Sequence, residues 1–220
     1  MRKLIALSIL VLTATSGCMT KEDPFSYEIP MYGGAREAKE EKQEELSQEA
    51  IREGWEYLYI KKDCNNAMKY FNEAWYYNCD NPNAYWGIGV VLETMALQEN
   101  NIEKLEKAIK ILEKANAMDQ LNPSIMNALG KAMMENAVCK SSEEDKQTLL
   151  KASEELFNTS CRINPRGIFY YNWSVCLYHQ ERYEDAWIKL LKANELNHKI
   201  PPEYLASIKA KLKKQKTEGQ

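Results

Sequence analysis

Along much of this chain a small residue is followed by a large apolar one four positions later and by another small one three after that. The segments are Ala67-Phe71-Ala74, Ala108-Leu112-Ala115, Ala152-Leu156-Thr159 and Ala186-Leu190-Ala193. Steps of four and three keep all three side chains on one helical face, so each segment predicts a helix with a narrow packing stripe. A further small residue lies fifteen positions past each of the first three segments, at Gly89, Gly130 and Ser174, and Gly54 plays this part ahead of the first. Prolines fall between, at Pro82, Pro123 and Pro165, where one helix stops and the next begins.

The pattern predicts stacked helix-turn-helix units. Small residues at matched points let facing helices approach closely, and the large apolar residue fills the gap against the neighbouring unit. A single hairpin cannot bury its apolar face, whereas stacked hairpins share one continuous core. This arrangement resembles the tetratricopeptide repeat (TPR) over residues 47–200. The fourth copy follows the family spacing without a gap at Tyr170, Trp173, Ser174, Leu177, Tyr183, Ala186, Leu190 and Ala193. The second carries Tyr85, Ile88, Gly89 and Leu92, then Ala108, Leu112 and Ala115. Within a unit the family sets its two small residues twelve apart. Here Gly54 to Ala67 is thirteen, Gly89 to Ala108 nineteen and Gly130 to Ala152 twenty-two. Copies two and three therefore carry insertions at one end of the stack, as longer helices or longer turns.

The resemblance implies an all-α fold: an α-solenoid of about four TPR-like helical hairpins plus a C-terminal capping helix. Ser141 with Glu144 forms a capping box for the second helix of the third unit, and Asp63 or Asn65 caps the matching helix of the first. Pro201-Pro202 breaks the chain, and the stretch 203–214 reads as a last helix whose Leu205, Ile208 and Leu212 pack on the final unit.

The start of the chain has a different pattern. Arg2 and Lys3 precede an apolar run from Leu4 to Leu12, which is followed by small residues ending at Gly17-Cys18. This is the layout of a secretory signal, too short to span a bilayer. The cysteine after a small residue resembles the lipobox of bacterial lipoproteins, which implies cleavage before Cys18 and lipidation of its thiol. Thr15 stands where the family prefers leucine. The expected organisation is a signal peptide over 1–17, a lipid-anchored polar tether over 18–46, repeats over 47–200, and a capping helix with a basic tail over 201–220.

Composition narrows the function. The chain has 220 residues, 29 basic and 32 acidic, with net charge −3. Loss of Arg2 and Lys3 with the leader takes the net charge to −5. A nucleic-acid partner needs a basic face, so none is expected. No second apolar run of about twenty residues follows, so no transmembrane helix is expected. Beyond Cys18 the cysteines are Cys64, Cys79, Cys139, Cys161 and Cys176. Their odd number leaves at least one thiol unpaired in a monomer, and they contain no CxxC spacing.

Nothing in the sequence reads as an active site. His179 and His198 are the only histidines. There is no nucleophile elbow and no phosphate-binding glycine loop. No catalytic residue, metal site or cofactor is expected, and the chain is not expected to be an enzyme.

The TPR resemblance implies binding instead, in a groove lined by the first helix of each unit. Its positions here are Ile51, Trp55, Trp86, Val90, Asn127, Lys131, Tyr171 and Val175, with Leu58, Glu93, Met134 and Tyr178 next along the face. Only Asn127, Lys131 and Asn172 match the basic and asparagine set of the family's carboxylate clamp, and Gly87, Ser124 and Ala128 occupy places that need polar or basic groups, so no clamp is expected. An aromatic, apolar lining suits a segment of another protein. The expected function is a lipid-anchored scaffold of the bacterial cell envelope with protein partners. Its layout is similar to that of repeat lipoproteins that help assemble outer-membrane machines, such as secretin pilotins and barrel-assembly accessories. Met19 after the cysteine favours the outer membrane over inner-membrane retention. The alternative is a glycan-binding or other ligand-binding surface lipoprotein, because Trp55 and Trp86 suit stacking on sugars as well.

Overall fold

The computed structural model describes residues 30–34 and 36–218; the leader and Cys18 lie outside the described residues. The described chain is helical throughout: α1 (Glu44–Glu56), α2 (Cys64–Tyr77), α3 (Pro82–Glu99), α4 (Ile102–Met118), α5 (Pro123–Val138), α6 (Glu143–Ile163), α7 (Gly167–His179), α8 (Tyr183–Glu195) and α9 (Pro202–Glu218). No strand occurs among the described residues. Helices pair as α1–α2, α3–α4, α5–α6 and α7–α8, and each second helix packs on the first helix of the next pair. The fold is an α-solenoid of four hairpins closed by α9, as the spacing predicts.

Side-chain caps start five of the helices. Asp63, Asn81, Asn101, Asn122 and Ser142 each accept a hydrogen bond from a backbone N–H in the first turn, which satisfies donors that have no intrahelical partner. Pro82 and Pro123 follow two of these caps at the first helical position, where proline loses nothing. The α6 cap is Ser142, with Asp145 donating to it at 3.3 Å, one residue later than the expected Ser141.

The insertions are longer helices. α3, α4, α5 and α6 run 18, 17, 16 and 21 residues, against 13 for α7 and for α8. The two middle hairpins therefore project beyond the others. Lys104–Glu99 at 2.7 Å closes the tip of the second hairpin, and Lys140–Glu106 at 2.9 Å ties the tip of the third to α4.

Close approach of backbones defines the repeat. A Cβ added at Gly54 would meet the Phe71 ring at 2.8 Å, and one at Gly89 would meet Leu112 at 2.5 Å. Gly87 faces the same Phe71 ring from the next unit, with no room for a methyl group. In the third hairpin the packing stripe is Ser153, Phe157 and Ser160, all fully buried. Ala152 and Leu156 are half-buried and Thr159 is exposed, so the register there lies one residue later than predicted. The two serines act as small residues because each hydroxyl donates within its own helix, to Leu149 O at 2.8 Å and Phe157 O at 2.9 Å.

The described residues ahead of the repeats are mostly exposed but touch the first hairpin at a few points. Helix α1 opens at Glu44, so the expected edge at residue 46 falls inside it. Before it, Lys39 and Gln43 donate backbone N–H bonds to the carbonyls of Tyr76 and Tyr77. The Met31 N–H bonds Asn72 Oδ1 at 2.6 Å, and Tyr32 is buried. Met31, Lys39 and Gln43 thus hold their segments along α2. At the other end Ile208 is fully buried, with Leu205 and Leu212 packed beside it on the last hairpin.

Candidate interaction groove

The first helices α1, α3, α5 and α7 touch one another in order and make one continuous face. Most of the groove residues expected from the sequence lie on it at different depths. Ile51, Leu58 and Met134 are buried between hairpins, and Val90 and Asn127 are almost so. Trp55, Trp86, Lys131, Tyr171, Val175 and Tyr178 are half-buried.

One end of the face is aromatic. The Trp55 ring lies 4.6 Å from Trp86 and 4.8 Å from Phe71, centroid to centroid, and stacks on Tyr59 at 5.5 Å. Tyr59 sits on a π-helical turn, Tyr57–Lys61, that ends α1, and it is 58% exposed. Such wide turns break the helical ladder and often mark functional positions. The Trp86 indole nitrogen is buried without a hydrogen-bond partner.

An ion pair crosses the middle. Lys131 Nζ on α5 lies 2.7 Å from Glu93 Oε1 on α3. Glu93 is only 3% exposed. Burial pushes its carboxyl above the usual carboxylate range, against the opposing pull of Lys131. Burial also acts to lower Lys131, but the charge and hydrogen bond of Glu93 outweigh it and hold the ammonium above its ordinary value. Next to this pair the Asn172 amide donates to Asn127 Oδ1 at 3.2 Å, linking α7 to α5.

The other end is closed by α9. Tyr204 reaches in, with its ring 5.5 Å from Tyr171 and 5.6 Å from Tyr178. Its hydroxyl lies 2.8 Å from Ser174 Oγ, which in turn donates to Ala186 O at 2.7 Å. Tyr171 and Tyr178 therefore serve chiefly as packing partners of the cap. The open stretch runs from Tyr59 to Lys131. Two of its residues were outside the groove set read from the sequence: Tyr59, signalled only by its i,i+4 spacing from Trp55, and Glu135, whose charge acts on Lys131.

The reactive groups are quiet. Burial lowers both His179 and His198. Cys64, Cys79, Cys139, Cys161 and Cys176 are all free thiols, and burial pushes Cys161 up to about 11 and Cys176 to about 12. No group of three His, Cys, Asp or Glu side chains that could hold a metal occurs among the described residues. None of the described helices is long and apolar enough to cross a membrane.

No protein-family model matches this chain, and no curated protein matches it. Solved structures do. A thermophilic TPR protein of Thermus thermophilus, TTC0263, superposes with a TM-score of 0.59 at 17% identity, over 68% of this chain and 74% of that one. PilF of Pseudomonas aeruginosa aligns at 16% identity with a TM-score of 0.38, over 71% of this chain and 78% of that one. The Thermus likeness, with the hairpin geometry above, gives the chain a TPR-type fold.

Proposed function

We propose that this protein is a lipid-anchored scaffold of the bacterial cell envelope that holds a segment of a partner protein in the groove between Tyr59 and Lys131. The observation that supports this reading most is the exposed Tyr59 ring stacked on Trp55 and Trp86 beside the Glu93–Lys131 pair. Rigid aromatic surface next to a polar anchor is the composition of binding hot spots. No catalysis is assigned to the chain. The lipid anchor is Cys18, and the machine served is one of the outer membrane, such as a secretion or pilus assembly.

Crosslinked capture from cells tests the groove. Tyr59→Glu leaves the core untouched, because the side chain is mostly solvated, and is expected to lose at least tenfold of the envelope proteins recovered with the wild type. Trp55→Ala combined with Trp86→Ala is expected to do the same with helix content retained. Equal recovery by all three proteins refutes the groove reading. Glycan-array binding that depends on Trp55, with no protein captured, replaces it with the sugar-binding alternative. For the anchor, the intact mass of the mature protein is expected to begin at a lipid-bearing Cys18; an unmodified terminus at Gly17 removes it.

A further inference from the structure

The floor of the groove is short of hydrogen-bond donors. Glu93 is buried, yet only one of its carboxylate oxygens is engaged: Oε1 accepts from Lys131 Nζ at 2.7 Å. Among the described residues nothing donates to Oε2. An ionised carboxylate has about four acceptor sites, and a buried one that lacks donors keeps part of its desolvation cost. One helical turn beyond Lys131, the half-buried Glu135 adds a second carboxylate. It has no ion pair among the described residues. Its charge acts on Glu93, Lys131 and Tyr171, so it belongs to the same floor.

Charge and shape select what satisfies these oxygens. At the positions of α1, α3 and α5 that make the face, the charged side chains are Glu93, Lys131 and Glu135. The exposed Lys62 lies past the π-helical turn, off those positions. Two carboxylates thus face one ammonium, and Glu93 already takes it. An acidic occupant would meet the unmatched Glu135, and an apolar one would cover Glu93 Oε2 without giving it a donor. The wall beside the pair is aromatic. Trp55 stacks on one face of the Tyr59 ring at 5.5 Å, and Tyr59 is still 58% exposed, so its other face is open. The charges of Glu93 and Lys131 act on its hydroxyl, so the ring stands next to the pair. A guanidinium answers both demands, because its planar fork donates to carboxylate oxygens while its flat side stacks on a ring. An ammonium is a more strongly hydrated point charge and does only the first well. Given the partner-binding groove proposed above, we infer that the segment held there presents an arginine, stacked on Tyr59 and donating to Glu93 and Glu135.

The test selects a random library of 12-residue peptides, displayed on phage, against the full chain and measures the recovered peptides by fluorescence anisotropy. Those that lose binding to Tyr59→Ala occupy the groove. They are expected to share an arginine and to weaken about tenfold or more when it is replaced by glutamine, the loss of a charge-assisted hydrogen bond. Glu135→Lys is expected to weaken them by as much again, and the near-isosteric Glu135→Gln to weaken them less. Glu135 is only half-buried, so the thermal melt of Glu135→Gln should match the wild type. Tyr59-dependent peptides that share no arginine, or that bind both Glu135 variants as tightly as the wild type, overturn the inference and leave the groove reading standing. Recovery of no Tyr59-dependent peptide overturns both.

Discussion

Replacing Phe71 by alanine is expected to lower the unfolding free energy by about 3–5 kcal/mol, the range for truncating a fully buried aromatic side chain. Phe71 has no exposed surface. Its ring is held between Gly54 of its own hairpin and Gly87 of the next, with Trp55 edge-on at 4.8 Å. Losing it opens a cavity at the joint between two hairpins, where two closely approached backbones cannot collapse further. The glycine provides the discriminating measurement. Gly87→Ala alone is expected to destabilise, because overpacking costs about 1–3 kcal/mol and exceeds the roughly 1 kcal/mol gained in helix propensity. In the Phe71→Ala background the same substitution meets no ring, so its sign reverses. Urea unfolding of the two single variants and the double variant reads this coupling. Additive effects would mean that the ring and the glycine do not share one space.

The fold was legible because its determinants are local and repeated. Small residues at fixed spacing located the helices, the hairpin partners and the fact that the insertions sit in units two and three. The third hairpin misled by one residue. Ala152 and Leu156 look like the better packing pair, yet the inter-unit turn before α7 is one residue shorter than those before α3 and α5. Only the hydroxyl bonds of Ser153 and Ser160 make those serines acceptable in the core. The site was less legible than the fold. Trp55 and Trp86 stood out as aromatic rings off the packing stripe. Tyr59 did not, because no propensity announces a π-helical turn. Tyr171 and Tyr178 looked available because Tyr204 reaches them from an element that the repeat spacing does not register. The partnership of Glu93 with Lys131 spans 38 residues. It emerges only once the hairpins are superposed, when the fourth position past one small residue meets the first position past the next.

That partnership sets the second large effect. Lys131→Met is expected to cost about 3 kcal/mol at neutral pH, because removing one member of a buried pair leaves the other charge uncompensated. The asymmetry between the partners is the test. Glu93 is enclosed, whereas a third of the Lys131 side chain reaches solvent. Glu93→Gln should therefore be the milder change, since the freed ammonium can turn into the groove and hydrate. The pH dependence has a definite sign. Burial already raises the Glu93 carboxyl in the folded protein above its unfolded value, and removing Lys131 raises it further. The folded state then binds the proton more tightly than the unfolded chain does, so the variant regains stability as pH falls through the raised value. The recovery is complete near the ordinary glutamate value of about 4.3. Denaturation midpoints of wild type and Lys131→Met should therefore converge toward acid and diverge toward neutrality. A constant gap across that window would mean that Lys131 acts by filling space, and Lys131→Met/Glu93→Leu would then fail to restore stability. Restoration by that double variant, with Tyr59 and Trp55 still stacked, would show that the groove floor needs a matched pair across α3 and α5 more than it needs charge.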